Sequence, residues 1–372
     1  MVPVNPPGTA SRLRRLPCWL ALASALLALG CAGAPPVARE RPLVLFPLPP
    51  EKPRVQYLGS LSSTADLPSH RGKFAEFLFG PPEVRHPLLK PINAVLSGSK
   101  LYICDTMLNT VVVYDLVSGD SHVLAGDRGI GKIQQPNNIA IDDEGRLLVA
   151  DKTRGAVLVY GPDERYLHAW GRPGEVAPVA VAAARDVLYV CDIKDHEIEV
   201  WDRRTGGFLR SFGGKGNTPG LLLYPTYVAL GPDGSVYVTD TGNFRVQKFS
   251  PKGEPLMQFG RHGDAMGQFA WPKGLDLDGH GRLYVVDTRF ANVQIFDGSN
   301  GRLFLFFGGP GEDRGNLDLP AGLRVCPWPA IPWLTERVMP GFDPEYLVIV
   351  VNQWQSHLIN FFAVARERAE SP

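Results

Sequence analysis

PTYVALGPDGSVYVTDTGNFRVQKFSPKGEPLMQFG, residues 225–260, is the stretch that decides the fold. It has the pattern of four short strands separated by turns. Polar and apolar residues alternate with period two between clusters of Gly, Pro, Asp and Asn, which is typical of strands joined by tight turns. The pattern predicts an antiparallel four-stranded meander. One such meander cannot bury both of its faces, so we expect the unit to recur along the chain.

The unit does recur, at a spacing of about 45 residues. A proline begins the first strand of each copy, and an aspartate ends the second strand of five copies, with Asn352 in that place in the sixth. The prolines are Pro91, Pro136, Pro178, Pro225, Pro272 and Pro320, and the aspartates are Asp105, Asp151, Asp192, Asp240 and Asp287. A repeated four-stranded unit is typical of propeller blades. The sequence therefore predicts an all-β fold, a six-bladed β-propeller of four-stranded antiparallel blades.

Residues 55–61, VQYLGSL, have the pattern of a fourth strand that lacks the three strands before it. The last copy, from Pro320 to Ala365, has the complementary pattern of three strands without a clear fourth. Pairing of the N-terminal strand with the last blade would close the ring and leave no free sheet edges between blades. We therefore expect the propeller to span residues 55–366.

The fullest copy contains Asp240, Thr241, Asn243, Arg245 and Phe249, and this pattern resembles the NHL repeat. The resemblance extends, less fully, over about residues 55–365. It implies the propeller fold and little about activity, because propellers carry many unrelated functions. Some NHL-type propellers are lipoproteins, and the N-terminus described below resembles theirs. For such a protein, the resemblance implies a protein partner in the cell envelope, either a multihaem cytochrome or another membrane complex.

The N-terminus has the composition of an export signal. Three arginines lie in the first fifteen residues, an apolar run fills 16–29, and small residues follow, so residues 1–30 are predicted to be a signal peptide. Residues 27–31, LALGC, resemble a bacterial lipobox, with the leucine one place farther from the cysteine than usual. The resemblance implies lipidation of Cys31 and anchoring to a bacterial envelope membrane, and Ala32 favours the outer membrane. A plain signal peptide and an uncleaved anchor are the alternatives.

Residues 31–54 are predicted to be the lipidated cysteine and a tether, because proline at this density favours an extended, semi-rigid spacer. The tether would hold the propeller, followed by a C-terminal tail at 367–372, in the periplasm or at the cell surface. The whole chain has 38 basic and 38 acidic side chains. This balance gives no electrostatic footprint for nucleic acid, so no nucleic-acid partner is expected.

An insertion at residues 327–344 separates the first and second strands of the last blade. It lies on the lower face, the rim that carries the turns between first and second strands. Trp328, Trp333 and Met339 are candidate partner contacts there, because exposed aromatic and methionine side chains mark interfaces. The alternative is that the insertion folds back over the propeller.

The upper face carries the connections between blades and the turns between second and third strands. By position, its channel mouth is lined with polar side chains suited to hydrogen-bonding a ligand: Asn93, Asn137, Asn138, Thr226, Tyr227 and Lys273. His70, His86 and His262 also fall in upper-face connections and are candidate metal ligands, although their spacing does not indicate a metal site. We expect no cofactor.

Two classes of function follow from these observations. The first is a non-catalytic binding or scaffold module that uses the propeller faces. The alternative is a metal-dependent enzyme of the propeller lyase or lactonase kind, with its site at the upper channel mouth. The repeated aspartates do not favour an enzyme, because a carboxylate at that place can accept N–H bonds from the following turn. Cys104, Cys191 and Cys326 are expected to be buried free thiols.

Overall fold

The computed structural model describes residues 43–48, 50–67, 85–354 and 357–366. Five blades are continuous in sequence, and each is a four-stranded antiparallel sheet. Their strands are β3 (Pro91–Ser97), β4 (Lys100–Asp105), β5 (Thr110–Asp115) and β6 (Ser121–Val123) in blade one; β7 (Pro136–Ile141), β8 (Leu147–Asp151), β9 (Ala156–Tyr160) and β10 (Tyr166–Gly171) in blade two; β11 (Pro178–Ala183), β12 (Val187–Asp192), β13 (Glu197–Asp202) and β14 (Phe208–Gly213) in blade three; β15 (Pro225–Leu230), β16 (Val236–Asp240), β17 (Arg245–Phe249) and β18 (Pro255–Phe259) in blade four; and β19 (Pro272–Leu277), β20 (Arg282–Asp287), β21 (Asn292–Asp297) and β22 (Leu303–Gly308) in blade five. Among the described residues, the helical segments are three 3-10 turns, Thr64–Asp66, Gly129–Gly131 and Thr241–Asn243, and the short helix α1 (Pro332–Thr335).

Blade six closes the ring with the N-terminal strand. It contains β23 (Pro320–Pro327), β24 (Pro344–Asn352) and β25 (Ile359–Ala365), and its fourth strand is β2 (Val55–Leu61), which pairs with β25. The predicted six-bladed propeller and its closure are therefore confirmed. A further short strand, β1 (Val44–Phe46), pairs with the outer edge of β2. Strand β1 lies within residues 31–54, which were predicted to be the tether, and is an unpredicted addition to the last blade.

Six apolar clusters hold the blades together, one between each pair of neighbours. The loops between blades contribute to them. Phe269, which precedes blade five, is fully buried and packs its ring against Phe296 with centroids 5.7 Å apart. Leu222 and Leu317 occupy equivalent places in other loops and are equally buried. Full burial of each such side chain stabilises the fold by roughly 1.5–3 kcal/mol, so the loops fix the spacing of the blades.

The repeated aspartates are structural. All five are completely buried, and each accepts main-chain N–H bonds from the loops beside it. Asp287, for example, accepts from the N–H of Ala270 at 2.7 Å and of Arg289 at 2.9 Å. The carboxylate therefore satisfies the donors of the loop before the first strand and of the turn after the second strand. This agrees with the interpretation of the repeated aspartates as residues that stabilise turns.

An ion cluster joins blades one and two near the lower face. Glu164, in the last turn of blade two, is buried and binds Lys100 Nζ at 2.7 Å and His122 Nε2 at 2.6 Å, both on blade one. Burial alone would raise the pKa of Glu164, but the hydrogen bonds from Lys100 and His122 outweigh burial and lower it. The carboxylate is therefore held ionised between the two blades.

The insertion in blade six folds back onto the propeller. Helix α1 places Ile331, Trp333 and Leu334 in the apolar cluster between blades six and one. The Trp333 indole N–H donates to the carbonyl oxygen of Leu116 at 2.9 Å, and its ring lies edge-on to Phe361 with centroids 5.4 Å apart. The expectation that Trp333 forms an exposed partner surface is wrong, because this side chain gains more by filling the cluster than by facing water.

The other two candidates in the insertion are half-buried. Trp328 packs against the same cluster, and the main-chain N–H of Met339 donates to Gln56 Oε1 at 3.0 Å. The insertion therefore folds back over the propeller, as the alternative interpretation predicts. None of the helices in the described part of the chain has the length and hydropathy needed to cross a membrane.

Candidate functional site

The central channel is bridged part-way along by Tyr227, the third residue of the first strand of blade four. Its hydroxyl accepts a hydrogen bond from Asn93 Nδ2 on blade one, across the channel. Burial raises the pKa of Tyr227, while hydrogen bonds with Asn93 and Asn138 act against the rise. Tyr227 is therefore a neutral hydroxyl at physiological pH, and it separates an upper channel mouth from a lower cavity.

Asn93 and Asn138 link neighbouring first strands. Asn93 Oδ1 accepts from the N–H of Ile139 at 3.2 Å, and Asn138 Oδ1 accepts from the N–H of Val181 at 3.2 Å. Both side chains are buried, as is that of Tyr227. The expectation that these three side chains line the upper mouth is corrected: they lie inside the channel, and their polar groups are used to join blades.

The second residue of the first strand lies at the upper mouth in blades two, four and five, whereas Val179 at that place in blade three is buried between blades. Of the predicted set, the mouth contains Asn137, Thr226 and Lys273, all half-buried. Thr226 Oγ1 bonds to Thr241 Oγ1 at 2.7 Å, and Thr241 donates onward to the carbonyl oxygen of Pro272 at 2.8 Å. Asn137 Oδ1 is buried without a hydrogen-bond partner in the described structure. This oxygen is buried, so it is not open to a ligand at the mouth in this conformation.

Lys273 is the cation of this mouth. Its ammonium lies over the Trp271 ring, 5.5 Å from the centroid. Burial lowers the pKa of Lys273, and the positive charge of Lys90 lowers it further. Within the described residues, neither ammonium group has a hydrogen bond or an ion pair to an acidic side chain. The aromatic face of Trp271 stabilises this ammonium, and a half-buried lysine does not require a carboxylate partner.

In the described part of the chain, four large apolar side chains lie beside the mouth on blades four, five and six, and we call Tyr224, Trp271, Leu319 and Trp354 the apolar rim. The first three occupy the same place, directly before the leading proline, in blades four, five and six. Their exposed fractions are 54%, 52% and 46%, and that of Trp354 is 62%. The turn that contains Trp354 is linked to the residue before Pro320, because the N–H of Gln353 donates to the carbonyl oxygen of Leu319 at 3.2 Å.

Two members of the apolar rim have an unfavourable backbone conformation. Tyr224 has φ 48° and Leu319 has φ 46°, in the left-handed region that bulky side chains rarely adopt. Such residues persist where the surroundings impose them, and they cluster at functional sites. Here they direct an aromatic and an aliphatic side chain into solvent beside the channel.

Below Tyr227, the channel widens to a cavity of about 230 Å³. The fifth residue of the first strand is alanine in blades two, three and four, which leaves the space open, whereas blades five and six have Asp276 and Arg324 there. These two form an ion pair at 3.4 Å, and Asp276 also accepts from the N–H of Val325 at 2.8 Å. Burial raises the pKa of Asp276 despite the Arg324 charge. This pair was not among the predicted site residues, although charged residues at the same strand position in adjacent blades are a signal visible in the sequence.

The candidate metal ligands are not brought together. His86 Nδ1 bonds to Ser121 Oγ on the outer strand of blade one at 3.0 Å, whereas the exposed His262 ring packs on Phe244 of blade four. Groups of three or more potential ligands are absent from the described residues. His70 and the lipidation candidate Cys31 lie outside those residues, as do the signal peptide and the tail.

Comparison with known proteins agrees with this architecture. The family model "NHL repeat" matches residues 222–249. The human E3 ubiquitin-protein ligase TRIM32 is 44% identical over 46 residues, which are 12% of this chain and 7% of that protein. The similarity to TRIM32 is therefore confined to about one repeat, and this chain spans a small part of that relative.

Solved structures resemble the whole propeller. A protein of unknown function from Bacteroides thetaiotaomicron has a TM-score of 0.56 at 15% identity, covering 84% of this chain and 76% of that one. A gluconolactonase from Xanthomonas campestris has a TM-score of 0.54 at 15% identity, covering 87% of this chain and 98% of that one. At such identities the likeness concerns the fold alone. The chain is a six-bladed β-propeller. Its fourth blade is an NHL repeat.

Proposed function

We propose that this chain is a non-catalytic binding module of a bacterial cell envelope, anchored through Cys31, and that it binds a protein partner through the apolar rim. The observation that carries the proposal is the rim itself. Apolar side chains exposed together mark interaction sites on soluble domains, and tryptophan and tyrosine are enriched among the residues that contribute most to binding.

The position of the apolar rim supports a protein partner. It is built on short loops held by buried aspartates and by the clusters between blades, so its side chains are held in place before binding. A preorganised surface loses little conformational entropy when a partner docks. The lower-face insertion is a poorer candidate, because Trp333 is buried in the propeller.

Crosslinked capture of the full-length protein from native membranes tests the proposal. Wild type and a Phe208→Ala control, which changes an exposed aromatic residue on the outer strand of blade three, should capture the same identified partner. A Trp271→Ala, Trp354→Ala double variant should reduce capture by about tenfold or more, as expected for truncated interface anchors. Undiminished capture by the folded double variant would refute the assignment of the rim.

Two further measurements test the rest of the proposal. Radiolabelled palmitate should label the wild type and not Cys31→Ala, and equal labelling would contradict the anchor. Metal analysis of the purified protein addresses the alternative enzyme. Stoichiometric zinc or calcium that is lost in His262→Ala would favour a metal-dependent lyase or lactonase over the binding module.

A further inference from the structure

The lower cavity, the space of about 230 Å³ below Tyr227, is a concave site separate from the upper mouth. Tyr227, bonded across the channel to Asn93, closes it on the side of the apolar rim. The side chain of Arg324 in its wall is 39% exposed, so solvent reaches the lower cavity. Pockets for drug-sized ligands have volumes of about 300–1,000 Å³, so this one suits a smaller molecule with a single ring.

The wall of the lower cavity is formed by the first strands of blades two to six. Each first strand is the last strand of its sheet, so one of its edges has no strand partner. Such an edge presents main-chain N–H and C=O groups. Some of these N–H groups donate to side chains of a neighbouring blade, as that of Val325 does to Asp276 at 2.8 Å. The wall therefore offers main-chain donors and acceptors close together.

Asp276 and Arg324 are the charged side chains that line the lower cavity in the described structure, with Asp276 Oδ2 and Arg324 Nη1 3.4 Å apart. Asp276 is buried and also accepts from the N–H of Leu277 at 2.9 Å, so its carboxylate is fixed in place. The Arg324 guanidinium has five N–H donors, and none of them makes a hydrogen bond to another described residue. The pair thus presents an oriented acceptor beside donors that are available to a ligand.

The charge of the lower cavity favours a neutral ligand. An anion attracted to Arg324 would meet the carboxylate of Asp276, and a cation attracted to Asp276 would meet the guanidinium. A hydroxyl group both donates and accepts, so two adjacent hydroxyl groups can use both members of the pair at once. The small side chains of Ala140, Ala182 and Ala229, at the equivalent place in blades two, three and four, leave space for the rest of the ligand.

We propose that the lower cavity binds a small neutral polyol, a monosaccharide or a cyclitol, with two adjacent hydroxyl groups on the Asp276–Arg324 pair. One hydroxyl group donates to Asp276 Oδ2, and its neighbour accepts from Arg324. The ring lies towards the three alanines, and the remaining hydroxyl groups bond to main-chain groups of the strand edges. The inference goes beyond the proposed function, because Tyr227 separates this site from the apolar rim.

Ligand-observed NMR titration of the purified full-length protein tests the site. The Kd of myo-inositol should be about tenfold to hundredfold lower than that of cyclohexanol, which has the same ring and one hydroxyl group, as expected for hydrogen bonds to charged groups. Arg324→Gln should remove this preference, whereas Arg165→Gln, which changes an exposed arginine in the last turn of blade two, should preserve it. Equal affinity for the two probes, or tighter binding of acetate than of myo-inositol, would overturn the proposal.

A second variant tests the location without altering the charged pair. Ala182 is half-buried in the wall, and Ala182→Leu places a larger side chain where the ring is expected. Binding of myo-inositol should then be lost, while circular dichroism shows an unchanged fold. A folded Ala182→Leu variant with the wild-type Kd would show that the ligand lies elsewhere and would refute the assignment.

Arginine modification by phenylglyoxal, read by mass spectrometry, provides an independent readout. Myo-inositol should protect Arg324 and leave the modification of Arg165 unchanged, and cyclohexanol should protect neither. Equal modification of Arg324 with and without myo-inositol would contradict the site. Partner capture does not enter these measurements, so this inference and the proposed function can fail separately.

Discussion

Trp333→Ala should destabilise the propeller strongly, although Trp333 lies in an insertion that the sequence suggested as a partner surface. Its side chain is 6% exposed, fills the cluster between blades six and one, and donates its indole N–H to Leu116 at 2.9 Å. Truncating a buried tryptophan leaves a cavity and costs about 3–5 kcal/mol. Trp333→Phe keeps most of the packing and loses the hydrogen bond, so its cost should be nearer to about 1 kcal/mol.

Urea unfolding followed by circular dichroism measures these differences, and Trp354→Ala provides the matched control. Trp354 is 62% exposed, so its truncation should change stability by no more than about 0.5 kcal/mol. The roles should reverse in partner capture, where Trp354→Ala weakens binding and Trp333→Phe does not. The reasoning fails if Trp333→Ala unfolds at the wild-type urea concentration, or if Trp354→Ala is the more destabilised variant.

Three other changes test parts of the fold. Tyr227→Phe leaves the buried Asn93 amide without its acceptor and should cost about 1–3 kcal/mol in urea unfolding, whereas a cost near zero would show that the bridge is not needed. The lowered pKa of Glu164 stabilises the fold above its unfolded value of 4.5, and this contribution disappears as the pH falls through the folded pKa. Glu164→Gln should therefore be less stable than wild type at neutral pH, with a difference that shrinks in acid; a constant difference across pH would contradict the ion cluster. Burial raises the pKa of Cys104 and of Cys191 well above 9.0, so iodoacetamide at about pH 8 should label them only after unfolding, and rapid native labelling would disprove their burial.

The architecture was predictable because it depends on repeated local signals. A leading proline marks every blade and an aspartate marks five of the six, and a single displaced strand at residues 55–61 fixed the closure. Strand β1 was not predictable in the same way. It has only three residues and lies between Pro42 and Pro47, and its place depends on the exposed edge of β2, which is formed only when the ring is closed.

The site was predictable in its location and less so in its details. Counting from the leading proline identified the residues of the channel, including Lys273. It did not distinguish the second position, which lies at the mouth in blades two, four and five, from the third, where Asn93 and Tyr227 meet across the channel. The burial of Trp333 could not be predicted from the local sequence either. It depends on an apolar cluster formed by residues that are distant in sequence.

Site-specific photocrosslinking in native membranes tests the central claim most directly. A photoreactive residue is placed in turn at position 271 on the apolar rim, at 354 on the same rim, and at 208 on the outer strand of blade three. The account predicts that one identified protein is crosslinked from 271 and from 354 and not from 208. Crosslinking of the same protein from 208 alone, or no crosslinked protein from either rim position, would contradict the binding module proposed for the upper face.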